Sequence, residues 1–161
     1  PGGVTDLRAA DLRAAGIEAV LLDLDNTLVA WQGMEVPDAV LAWLSELRAA
    51  GLKLYLVSNT RFGKRLRWLS GYLGLPYVRR AWKPRRRGFL AAIRELGVEP
   101  ERTAMVGDQM FTDILGGNRL GLYTVMVPPM ARREFLGTRV SRLFERAIMA
   151  WLRRKGALPD R

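Results

Sequence analysis

The sequence predicts an α/β domain, with a mainly parallel central sheet covered by helices on both faces. Three observations carry that expectation. Apolar runs of strand length alternate along the chain with stretches of helical spacing. Glycines stand just past the helical stretches, at Gly16, Gly51, Gly74, Gly97 and Gly121, where a left-handed residue ends a helix at little cost. The apolar runs are nearly continuous rather than alternating, which is the pattern of strands buried on both faces.

Taken in order, residues 5–15 read as a short helix, with Thr5 as a potential N-cap and Gly16 as the stop. Ile17 to Asp23 reads as a strand. Pro37 suits a first helical position, and Ala39, Val40, Trp43, Leu44 and Leu47 give that helix one apolar face ending at Gly51. Leu52 to Val57 is a second strand, followed by Ser58-Asn59-Thr60. Leu66, Leu69 and Leu73 have helical spacing up to Gly74, and Tyr77-Val78 makes a short strand. After Lys83-Pro84 comes a helix through Phe89, Leu90, Ile93 and Leu96. Thr103 to Val106 is a strand leading to Gly107-Asp108, Thr112 to Leu120 a helix, and Leu122 to Val127 the last strand before Pro128-Pro129. With no repeat and no long linker, the 161 residues are expected to form a single domain, its core at about 16–127 and a basic C-terminal helix at about 139–155.

Composition narrows the chemistry. The chain has neither Cys nor His, which excludes disulfides, thiolate nucleophiles, Ser-His-Asp triads and His-built zinc sites. Carboxylates, hydroxyls, Lys, Arg and the backbone remain, and a metal would be a hard one with oxygen ligands. No apolar run is long enough to span a bilayer, no signal-peptide pattern opens the chain, and Pro1 in place of Met leaves room for a preceding segment. A cytoplasmic location is expected. The formal charge is +10, and no acid lies between Glu46 and Glu95 while Lys and Arg are frequent there. Such a field favours anionic partners: phosphate esters, anionic lipid or nucleic acid.

The most telling stretch is Val20-Leu21-Leu22-Asp23-Leu24-Asp25-Asn26-Thr27. Asp23 and Asp25 follow an apolar strand at i, i+2, so they start on one side where the strand meets solvent. Two acids there are costly without a cation, which points to a metal site. The ends of the other strands add Ser58, Asn59 and Thr60, then Lys83, then Asp108 and Asp113, all at the edge where open α/β sheets bind ligands.

In that order, Asp-x-Asp-x-Thr, Ser, Lys-Pro and Gly-Asp-x-x-x-x-Asp resemble the haloacid dehalogenase (HAD) superfamily. The wording Asp23-Leu24-Asp25-Asn26-Thr27-Leu28 and Val106 to Asn118 is similar to the subclass IIIA, YqeG-type branch, itself related to phosphatidylglycerophosphate phosphatases. The resemblance spans roughly Gly16 to Val127. It implies a three-layer Rossmann-like fold and a hydrolase that transfers the phosphoryl group through an aspartyl-phosphate, with Mg²⁺ as cofactor. Under it, Asp23 is the nucleophile and Asp25 the general acid and base. Ser58 and Asn59 hold the phosphoryl group, and Lys83 stabilises the transition state. Asp23, Asp25 (through its carbonyl) and Asp108 hold the metal directly, and Asp113 completes the metal site by holding a metal-bound water or bracing the ligands. Asn26 and Thr27 are expected to brace the turn.

Neither Leu28 to Val36 nor Ser58 to Lys83 is long enough for the cap domain many relatives carry, so no cap is expected. An open site in this superfamily implies a bulky phosphorylated substrate, with lipid phosphate favoured and phosphatidylglycerophosphate first. Nucleic-acid or protein phosphate is the alternative, and a non-catalytic basic module on the same fold is a third reading that the intact motif residues oppose. Val140, Leu143, Phe144, Ala147 and Trp151, beside Arg139, Arg142, Arg146, Arg153, Arg154 and Lys155, would let the last helix lie on an anionic membrane, while packing on the sheet is the ordinary alternative. Trp31 is a further substrate or membrane contact in that scheme, with an ordinary packed aromatic the equal alternative.

Overall fold

The computed structural model describes residues 2–78 and 80–130, which belong to one compact unit. The expected basic helix at 139–155 lies outside the described residues. Five strands form one sheet: β1 (Ala19–Leu22), β2 (Lys53–Val57), β3 (Tyr77–Val78), β4 (Thr103–Gly107) and β5 (Tyr123–Met126). Their order is β3-β2-β1-β4-β5, and every pairing is parallel. The helices are α1 (Ala9–Ala14), α2 (Asp38–Ala49), α3 (Gly63–Leu73), α4 (Arg86–Leu96) and the short α5 (Leu115–Asn118).

Alternation along the strands builds three layers. Val20, Leu22, Leu54, Leu56, Ala104 and Val106 face one core with Leu12, Leu44, Leu47, Leu66 and Leu69. Leu21, Tyr55, Val57 and Met105 face the other, with Phe89, Ala92 and Ile93 of α4. Each large apolar side chain so buried contributes about 1.5–3 kcal/mol. On the second face Tyr55 donates to Glu95 Oε2 at 2.6 Å, and burial together with that carboxylate raises the phenol's pKa. The bond ties β2 to α4.

Several boundaries depart from the expectation, β1 among them at Ala19–Leu22 rather than Ile17 to Asp23. The expected helix at 5–15 is broken: a 3₁₀ turn at Val4–Asp6 precedes α1, and Thr5 lies inside that turn instead of capping a helix. Trp43 Nε1 donates to Leu7 O at 2.7 Å, and Leu7 is extended, so a long-range bond holds the chain open where local propensity favours helix. Pro37 is the N-cap of α2, one position earlier than expected. The helix expected from Thr112 begins instead as a π-helical turn at Met110–Ile114 and reaches only Asn118 in α5. The last strand is shorter than expected at both ends. Among the described residues the β1–α2 connection carries only an isolated bridge and β2–β3 only α3, so no cap domain is present.

Candidate active site

Register brings the strand ends together. Leu22 lies level with Leu56 of β2 and Val106 of β4, so Asp23 follows at the level of Val57 and Gly107, and its amide donates to Val106 O at 2.9 Å. Order changes direction at β1, with β2 on one side and β4 on the other, and this is where open parallel sheets leave a crevice.

Three carboxylates meet in that crevice. Asp23, Asp108 and Asp113 each offer an oxygen within 4.8 Å of the others, and all are buried. Asp113 comes from the π-helical turn: the amides of Asp113 and Ile114 both donate to Gln109 O, at 2.9 and 3.3 Å, and Asp113 Oδ2 accepts from the Gln109 amide at 3.1 Å. Gly107 makes the approach possible, because a Cβ there would overlap the Asp113 carboxylate. The Lys83 ammonium lies 2.6 Å from both Asp23 Oδ1 and Asp113 Oδ1. Burial works against its charge, but Asp113 and Asp23 outweigh it and raise the pKa. Burial also lifts Asp113 to about 6, against the pull of Lys83. Among the described residues Asp23 and Asp113 of the three carboxylates share the Lys83 ammonium, and a buried all-oxygen set of this kind fits a hard divalent ion such as Mg²⁺.

Asp25 points elsewhere. Its Oδ1 accepts from the Gln32 amide at 3.1 Å and lies 3.0 Å from Arg65 Nη1. Burial raises its pKa, with Arg65 opposing. Arg65 also donates through Nε and Nη2 to Gly33 O, at 2.9 and 2.7 Å. In the sequence Arg65 is one cation of the acid-free stretch between Glu46 and Glu95, and no motif marks it. A signal was present, since Arg65 borders the Leu66-Leu69-Leu73 stripe that α3 buries, and Arg is rarely buried without a partner.

The remaining residues take distinct places. Ser58 is buried and its Oγ accepts from the Thr60 amide at 3.1 Å, so its hydroxyl hydrogen is still available to donate. Asn59 spends its amide on the Lys83 backbone, donating to Lys83 O at 3.0 Å and accepting from Lys83 N at 2.8 Å. Thr27 donates to Asp23 Oδ2 at 3.3 Å. Asn26 adopts a left-handed φ of 63°, and its Oδ1 accepts from the Trp31 amide at 3.2 Å. These two hold the turn, as expected. Trp31 is half-buried.

A parallel sheet whose central strands end on a carboxylate cluster with a buried ammonium has the architecture of an α/β phosphohydrolase. The model of the haloacid dehalogenase-like hydrolases matches residues 9–121, and the chain belongs to that family. It is 37% identical over 145 residues to "Probable phosphatase YqeG" of Bacillus subtilis (strain 168), covering 90% of this chain and 84% of that protein. It is 35% identical over 136 residues to the chloroplastic phosphatidylglycerophosphate phosphatase 1 of Chlamydomonas reinhardtii, covering 78% of this chain and only 51% of that protein. A crystal structure of an uncharacterized protein from Listeria monocytogenes serotype 4b shares the fold, with a TM-score of 0.59 at 17% identity over 74% of this chain and 86% of that one. The enzyme is a hydrolase of the phosphatase kind.

Proposed function

We propose that the chain is a Mg²⁺-dependent phosphomonoesterase that works through an aspartyl-phosphate, with phosphatidylglycerophosphate as its substrate. The observation that carries the chemistry is the pairing of Asp23 with Lys83 inside the Asp23–Asp108–Asp113 cluster. Similarity to the algal lipid phosphatase supports the substrate. Asp23, Asp108 and Asp113 would hold the metal through their carboxylates and Asp25 through its carbonyl. Mg²⁺, when bound, supplies positive charge against both the phosphoryl oxygens and the attacking carboxylate.

Asp23 attacks phosphorus, the ester P–O bond breaks, and Asp25 gives its proton to the departing alkoxide. Asp25 then takes a proton from water as the water oxygen attacks the phosphorus of the acyl phosphate, releasing phosphate and restoring Asp23. Burial, opposed by Arg65, raises the Asp25 pKa, the direction that favours the proton the first step needs. Lys83 and the Ser58 hydroxyl stabilise charge on the phosphoryl oxygens. Asn59 acts through Lys83, whose backbone it grips from both sides.

Asp23→Asn should abolish hydrolysis of an aryl phosphate, and retained turnover would overturn the mechanism. Phosphate release from phosphatidylglycerophosphate in mixed micelles tests the lipid substrate, and none released there removes it. That substrate would place the enzyme peripherally at the cytoplasmic face of an anionic membrane, and no helix of the described residues is long and apolar enough to cross one. A second reading, nucleic-acid or protein phosphate, draws on the exposed Trp68–Tyr72 stack (centroids 5.2 Å apart) beside exposed Lys64 and Arg67. Steeply salt-dependent oligonucleotide binding would favour it.

A further inference from the structure

Lys83 is not the end of the positive charge on its side of the site. A cavity of about 400 Å³ opens beside it, lined by Asn59, Arg61, Arg80, Trp82 and Lys83. The Lys83 ammonium is already committed to Asp23 and Asp113. The surplus therefore belongs to Arg61 and Arg80, both exposed, and among the described residues neither guanidinium meets a carboxylate. No acid lies near them in sequence either, since none occurs between Glu46 and Glu95.

The fold brings these two arginines to one place. Val57 of β2 pairs with Val78 of β3, so the segments leaving the two strands start side by side. Arg61 follows β2 by four residues and Arg80 follows β3 by two. In the second segment Arg80 and Trp82 have φ of 52° and 55°, a region bulky side chains rarely occupy and which costs on the order of 1–3 kcal/mol per residue. Ala81 N bonded to Ser58 O, the Asn59–Lys83 bonds and Arg85 N bonded to Trp82 O hold that conformation. It leaves Trp82 59% exposed beside the cavity, away from either core. A second cavity, of about 420 Å³, begins at Arg65, but there the guanidinium is taken by Asp25 and Gly33 O. Of these two cavities, the one beside Lys83 has guanidiniums to spare among the described residues.

We propose that this cavity is a subsite for a second anion on the substrate: Arg61 and Arg80 bind a phosphodiester carried alongside the phosphomonoester that is cleaved, with Trp82 against the linking carbons. The planar fork of Arg fits the two free oxygens of a phosphodiester, and a simple alkyl phosphate has no second anion to place there. The inference rests on the phosphatase reading above and narrows its substrate class to molecules bearing both groups.

The test compares two soluble substrates, glycerol 3-phosphate and glycerophosphoglycerol phosphate, which adds a phosphodiester without acyl chains. The native chain should prefer the second by about tenfold or more in kcat/KM. Arg61→Ala/Arg80→Ala should raise KM for the second at least about tenfold more than for the first, and Arg61→Lys/Arg80→Lys should restore part of the difference. A thermal melt of each variant checks folding. Equal losses on both substrates, or no preference by a native chain that turns over p-nitrophenyl phosphate, would overturn the subsite and leave the phosphatase reading standing. No turnover of any of the three with Mg²⁺ present would overturn both.

Discussion

Lys83 links two carboxylates that would otherwise repel each other, and it does so without solvent. Removing one member of a buried charge pair costs about 3–5 kcal/mol, chiefly because the partner stays buried and uncompensated. Lys83→Ala should therefore destabilise the metal-free protein by an amount of that order, with Mg²⁺ restoring part of it, while hydrolysis falls by roughly 10²–10³-fold for want of charge at the phosphoryl oxygens. Melting curves with and without Mg²⁺, beside aryl phosphate kinetics, read both effects. Arg65 makes a different prediction because it touches Asp25 and not the cluster. Arg65→Lys keeps the charge but loses the fork on Gly33 O, so Asp25 loses its fixed orientation. An ill-placed general acid matters most when the leaving group is poor. The loss in kcat should be about tenfold or more for an alkyl phosphate and only a few-fold for p-nitrophenyl phosphate, and equal losses would reduce Arg65 to a structural strut. The two residues also differ in legibility. Lys83 stood out because Pro84 follows it within a motif. Arg65 was hidden because its partners, Asp25 and Gly33, lie more than thirty residues away and no spacing rule joins them.

At the scale of elements, the strands were legible because a parallel sheet covered on both faces needs near-continuous apolar runs, and β1, β2 and β4 are such runs. The ends of α3 and α4 were legible for a similarly local reason, since Gly74 and Gly97 take the left-handed C-cap. The π-helical turn was not legible. Its hydrogen bonds to Gln109 O give Asp113 a place beside Lys83, and the room for that carboxylate comes from Gly107 on another element. What decides the turn is a fit between strand end and helix start that periodicity cannot express. Gly107→Ala tests the fit. The added methyl must displace the Asp113 carboxylate, so we expect about 1–3 kcal/mol of destabilisation, seen in denaturant melts, and weaker Mg²⁺ binding by calorimetry. Unchanged binding would mean that Asp113 lies outside the metal's reach.

For the whole molecule, the carboxylate cluster should make stability depend jointly on pH and divalent ion. In the metal-free chain burial lifts Asp113 from the ordinary carboxylate value of 3.8 to about 6. An acid raised on folding binds its proton more tightly in the folded state, so this group favours folding below its unfolded value and loses that contribution as pH rises through about 6. Above that point the ionised cluster is a standing cost to the metal-free fold. A divalent ion held by Asp23, Asp108 and Asp113 removes that cost, and below pH 6 it must first displace the proton. The Mg²⁺-induced rise in melting temperature should therefore be small near pH 5 and grow as pH passes through about 6 to 7, in the sense opposite to the trend in the metal-free protein's own stability from this group. Asp113→Asn, which keeps the shape and removes the titration, should flatten the rise over that range. A Mg²⁺ increment independent of pH in the native chain would mean that the ion does not contact the protonated carboxylate, and the three-acid site would have to be redrawn without Asp113.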